Sequence, residues 1–234
     1  EKLELNDEIR KTLAWGGRFS GAYPVRDIEQ WKESIRKTVE RYQDCMKHWE
    51  IWNEVDLAFY CGTVDEYLAL LKASYCEIKR IDPRLQVIAG NTCMCPYFEE
   101  KLVANHGYYY YDYRGLHCYT PVPKLTAAMN RGVYEYARHF YKEYEYSKPI
   151  INTESSNYQY TPGSVFLDDK KESPGDAIKT FVLTESRGIE KYCYFVSWLV
   201  FNEYQGKMFP RPAAVSITVA ASILEDGRFL GRLD

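Results

Sequence analysis

A chain of 234 residues, 46% hydrophobic and 27% charged, carries enough apolar material for one substantial core and too much for a disordered segment. Its net charge of −3 gives no electrostatic reason to expect nucleic acid or an anionic membrane as partner. No stretch approaches the ~20 apolar residues that span a bilayer.

Aromatic residues make up 16% of the chain, with 22 tyrosines. Such rings suit stacking on sugars, although composition alone favours core filling. The cysteines are 45, 61, 76, 93, 95, 118 and 193. Their odd number and the lack of a CxxC pair argue against a structural zinc site. Read as free thiols, they favour a reducing compartment and otherwise leave localisation open. The charged start EKLELNDEIRK has no signal-peptide pattern.

The predicted elements alternate. Residues 12–16 (TLAWG) form a strand, and 27–43 form a helix with Ile28, Trp31, Ile35 and Val39 on one stripe. Residues 48–53 form a second strand. Residues 64–81 form a helix with Tyr67, Leu70, Leu71, Tyr75 and Ile78 inward, stopped by Asp82-Pro83. Strand 85–89, a weak helix near 98–104, strand 115–119 and a long helix over 125–144 follow. Strand 149–153, helix 174–186, strand 192–198 and helix 213–224 complete the pattern. Six strand–helix units without a linker predict one α/β domain over 1–234, a parallel sheet covered by helices. Alternation alone allows a doubly wound sheet or a barrel. No GxGxxG or GxxxxGK[ST] follows a strand, so a nucleotide-binding sheet loses support.

The segment His48-Trp49-Glu50-Ile51-Trp52-Asn53-Glu54 holds the chemistry. Strand alternation puts Trp49 and Ile51 on one face and His48, Glu50, Trp52 and Glu54 on the other. Glu54, at the strand end, would emerge into a cleft at the edge where barrels keep their active sites. Glu50, deeper on that face, is expected to be buried and paired with a basic or hydroxyl group, His48 among them. A second short strand, Pro149-Ile150-Ile151-Asn152-Thr153-Glu154, also ends in a carboxylate. Two such groups can protonate a leaving oxygen and attack an anomeric carbon.

Trp-Asn-Glu at one strand end, with Thr-Glu three strands later, resembles the clan A glycoside hydrolases, above all family 39-like enzymes and their relatives in families 5 and 51. The resemblance extends to Gly115-Leu116-His117-Cys118-Tyr119, similar to the clan's sixth strand, and to Trp198, similar to the eighth-strand tryptophan under the sugar. Trp15-Gly16-Gly17 is similar to the end of the third strand. It implies a TIM (βα)8-type barrel, present from its third to its eighth βα unit and lacking the first two. On that reading the chain is a piece of a longer product, with weak or no turnover by itself.

The resemblance further implies a retaining β-glycosidase acting on an oligosaccharide or glycoside, without metal or cofactor. Glu54 is the expected acid/base and Glu154 the expected nucleophile, one holding a proton while the other is ionised. Asn53, His117, Tyr119, Trp198 and Trp15 are the expected substrate-binding residues, with His117 and Tyr119 donating to Glu154. The run Tyr108–Tyr113 is read as loop packing rather than a sugar rim, and the loop 158–171 as pocket lining. The competing readings are a non-catalytic carbohydrate-binding barrel, disfavoured by the presence of both carboxylates, and a metal-dependent hydrolase, disfavoured by only four histidines. The sugar and the oligomeric state are not legible.

Overall fold

The computed structural model describes residues 22–57, 59–92, 96–117, 148–155, 174–186, 188–195, 201–210 and 212–227. The chain divides into two compact units, residues 1–116 with 143–149, and residues 117–142 with 150–234. No helix among the described residues is long and apolar enough to cross a membrane.

The first unit starts with helix α1 (Ile28–Tyr42), set by the side chain of Asp27, which accepts from the N–H groups of Glu29 and Gln30. Val39 is fully buried, and Trp31 and Ile35 pack beside it on the predicted stripe. After strand β1 (His48–Ile51), helix α2 (Val64–Ile81) opens with a Thr63/Glu66 capping box. It buries Tyr67, Leu70, Leu71 and Ile78, as the 3.6-residue period requires. Strand β2 (Gln86–Thr92), helix α3 (Pro96–Ala104), a 3-10 turn (Gly107–Tyr110) and strand β3 (Tyr113–His117) follow.

β1, β2 and β3 pair in parallel, with Ile51 opposite Ala89 and Ala89 opposite Arg114. Ile51, Val87 and Ala89 enter one core with Val39, Leu70, Leu71, Ile78, Phe98 and Leu102 from the helices. This is the parallel arrangement with helices packed on the sheet that strict alternation predicted. The starts of the strands are tied by Asp112. Its carboxylate accepts from the Val87 N–H at 2.8 Å and from Lys79 Nζ at 2.8 Å.

β2 carries one extra residue. Three steps from Ala89 to Thr92 match two from Arg114 to Leu116, and Gly90 sits in the bulge at φ +45°. Glycine takes that left-handed conformation without a Cβ penalty. Beyond the bulge, Thr92 Oγ1 accepts from the Arg114 guanidinium at 3.1 Å, and the same guanidinium pairs with the Glu99 carboxylate of α3. Both charges are almost completely buried.

In the second unit β4 (Ile150–Ser155) and β5 (Ile189–Tyr194) pair in parallel, flanked by helix α4 (Pro174–Glu185). A hairpin of β6 (Phe201–Tyr204) and β7 (Lys207–Pro210) precedes helix α5 (Pro212–Leu224). Its two-residue turn, Gln205-Gly206, has φ +51° and +71°, the pair of left-handed residues that joins twisted antiparallel strands.

Several expectations need correction. β1 stops at Ile51, so Trp52 does not continue the alternation onto the Glu50 face. With φ +74°, it turns its ring to Trp31 of α1 and to Tyr60, at centroid distances of 6.0 and 5.4 Å. Glu50 is exposed, so it is not the buried group expected on that face. The His48 ring lies tilted against Tyr113, with centroids 5.6 Å apart. β5 begins and ends earlier than predicted. The hairpin was not anticipated. Most of the tyrosine run packs: Tyr111 is buried and Tyr110 meets Tyr75 of α2 edge-on, while Tyr109 is exposed. The predicted strand 12–16, helix 125–144 and loop 158–171 lie outside the described residues.

Two stability outcomes follow. Glu99→Ala leaves a buried guanidinium uncompensated and should cost roughly 3–5 kcal/mol in urea unfolding, whereas Glu99→Leu with Arg114→Met should recover most of it. The Tyr60 hydroxyl is buried with no hydrogen-bond partner among the described residues, and burial pushes its phenol up. Tyr60→Phe should therefore leave stability unchanged or raise it by about 1 kcal/mol.

Candidate active site

Asn53 and Glu54 follow β1 after one residue, Trp52. The backbone there is not extended: Trp52 has φ +74° and Glu54 φ +42°, both in a region that residues with a Cβ seldom enter. Such strain persists only where the surroundings enforce it. Tyr67, fully buried, donates its hydroxyl to the Ile51 carbonyl at 2.9 Å and accepts from the Gly90 N–H at 2.8 Å. One phenol thus bridges the last residue of β1 and the bulge of β2. Burial pushes that phenol far above its ordinary range, so the hydroxyl stays protonated and remains a donor. The Trp52 indole N–H donates to the Phe59 carbonyl at 2.8 Å, and Leu57 N–H donates to the Glu54 carbonyl at 2.9 Å. Glu54 itself is 7% exposed and Val55 behind it 2%.

The second carboxylate also stands where a strand is irregular. In β4, Asn152 is opposite Tyr192 and Ser155 opposite Tyr194, so three steps match two and the extra residue falls at Thr153-Glu154. A bulge re-aims the side chain it carries. Pairing resumes at Ser155, whose carbonyl accepts from Phe195 N–H at 2.8 Å and whose Oγ accepts from the Tyr192 hydroxyl at 3.2 Å. His117, the buried last residue of β3, places Nδ1 3.8 Å from Glu154 Oε2. That is longer than a hydrogen bond and within the reach of an ion pair. Glu154 keeps about a fifth of its side chain exposed. Asn152, two residues before it, is fully buried.

Of the residues singled out from sequence, Asn53 and Glu54 are neighbours in the turn after β1, and His117 and Glu154 meet within the second unit. Trp15, Tyr119 and Trp198 lie outside the described residues. Sequence reasoning missed the supporting groups Tyr67, Ser155 and Tyr192. Tyr67 was assigned to the core by its helical period, and nothing in that period distinguishes a ring that packs from one whose hydroxyl also bridges two strands.

No family model matches the chain. A β-xylosidase of Caldicellulosiruptor saccharolyticus is 34% identical over 73 residues, which cover 27% of this chain and 15% of that protein. Among solved structures, a GH39 β-xylosidase from Caulobacter crescentus is 18% identical with a TM-score of 0.58, covering 86% of this chain and 48% of that one. The α-L-arabinofuranosidase of Thermotoga maritima is 16% identical with a TM-score of 0.62, over 83% of this chain and 46% of that one. The chain thus spans about half the length of these two solved structures, or less. With parallel strands, covering helices and these likenesses, it has an α/β fold that matches part of the (βα) barrel of these solved structures.

Proposed function

We propose that the protein is a retaining β-glycosidase, with residues 1–234 in a single catalytic barrel domain. Glu54 is the acid/base and Glu154 the nucleophile. The observation that carries the reading is that each of these two carboxylates stands just where a parallel strand loses its regular ladder. Chemistry at strand ends is how this fold works.

Glu54 gives its proton to the glycosidic oxygen while Glu154 attacks C1, and the C1–O bond to the aglycone breaks. A glycosyl ester on Glu154 results. Water, losing a proton to Glu54, then attacks C1 and frees Glu154, so two inversions restore the starting configuration. The mechanism needs both carboxyl groups at one anomeric carbon, roughly 5–5.5 Å apart. Asn53, beside the acid, is assigned to a sugar hydroxyl, and His117 to holding Glu154 in its attacking orientation. Tyr119, Trp198 and Trp15 are assigned to the sugar by the sequence resemblance alone. The substrate is an oligosaccharide or a simple glycoside.

The test is a panel of aryl glycosides with the full-length protein, the first-formed anomer being read by NMR. Retention of the substrate's configuration is expected, and an inverted product would overturn the reading. Glu154→Ala should abolish turnover on every glycoside. Glu54→Ala should lower kcat/KM on poor leaving groups by roughly 10²–10⁴-fold and spare dinitrophenyl glycosides, which leave without a proton. Equal losses on both substrate types would reverse or remove the two assignments.

A further inference from the structure

We infer that Tyr67 and Trp52 are positioning residues for the acid/base Glu54, acting through the backbone rather than on substrate. The inference rests on the assignment of Glu54 just proposed. Its physical basis is the conformation of residues 52–54. Two non-glycine residues within three positions hold φ of +74° and +42°. Residues with a Cβ avoid this conformation, and it persists only where contacts fix the chain on both sides.

Those contacts are identifiable. On the strand side, Ile51 is held by the Tyr67 hydroxyl, which is itself fixed by Gly90 N–H. Because the hydroxyl spans the two strands, it sets how far the end of β1 stands from the bulge of β2. On the turn side, the Trp52 indole N–H holds the Phe59 carbonyl, and its ring lies between Trp31 and Tyr60. Trp31 is fixed in turn by its own indole N–H, which donates to Ser74 Oγ at 2.8 Å. Glu54 therefore leaves the sheet in a direction set by one phenol and one indole, neither contributing an atom to the reaction. Displacing a catalytic group by about 1 Å can cost 10²-fold in rate.

Leaving-group dependence separates positioning from plain structural support. A misaimed acid slows only bond cleavage that needs a proton. A loosened fold slows all substrates alike. In the full-length protein, Tyr67→Phe keeps the ring and removes both hydrogen bonds, and Trp52→Phe removes the bond to Phe59. Each should lower kcat/KM about 10-fold for alkyl glycosides and less than about 2-fold for dinitrophenyl glycosides. Tyr60→Phe, which touches the same rings and removes no hydrogen bond among the described residues, should change neither. Thermal unfolding identifies any variant that fails to fold; if Tyr67→Phe does, Trp52→Phe decides alone. Uniform losses across leaving groups, or no loss, would overturn the inference. Glu54→Ala is measured in parallel. If it shows the leaving-group dependence and the two variants do not, only the positioning role falls. If Glu54→Ala shows none, the assignment of the acid falls with it.

Discussion

The turn that carries Asn53 and Glu54 starts from a strand end held by one buried hydroxyl. Tyr67 lies on α2, yet its oxygen joins the end of β1 to the bulge of β2. Backbone polar groups at the end of a ladder have to find partners, and Gly90 is buried beside Val55, Leu102 and the tyrosine itself. A phenylalanine in the same place would fill the same volume and leave a donor and an acceptor stranded. The geometry of Asn53 and Glu54 is therefore coupled to a helix that carries no chemistry of its own.

The first unit was largely legible in the sequence, because its signals are periodic. The helix over 64–81 has its predicted bounds, and that beginning at Asp27 differs only at its capping residues, since polar caps and an apolar stripe agreed at both. The ends of the strands were not legible. Alternation placed Trp52 on the face of Glu50, but alternation describes a ladder, and the ladder stops at Ile51. What overrides it is packing: the indole gains two aromatic neighbours and a carbonyl by turning the other way. The β6–β7 hairpin escaped for a different reason. Its turn is Gln205-Gly206 rather than Asn-Gly, and its strands are four residues each, too short for a period to register.

The candidate site was legible as residue types at strand ends, and less so as geometry. Asn-Glu and Thr-Glu are short patterns whose meaning comes from where the strands stop. Pattern reading singled out Glu54, Glu154 and His117 as candidates, and it missed the bulge at Thr153-Glu154. A bulge leaves almost no trace in sequence when, as at Thr153-Glu154, it contains no glycine. The Arg114–Glu99 pair was equally silent. An arginine inside an apolar strand looks like a surface residue until a helix brings a carboxylate over it.

Most of the irregularities share a location. β1, β2 and β4 are irregular toward their C-terminal ends, at Trp52, at Gly90 and at Thr153-Glu154, and β4 also shifts register at its start, between Ile150 and Ile151. In β1 and β2 the regular rungs therefore form a chassis beneath those ends. Insertions and deletions of a single residue near the ends change which way a side chain faces without unzipping what lies beneath. A protein engineer seeking new specificity would do well to vary the length of these last segments rather than their composition alone.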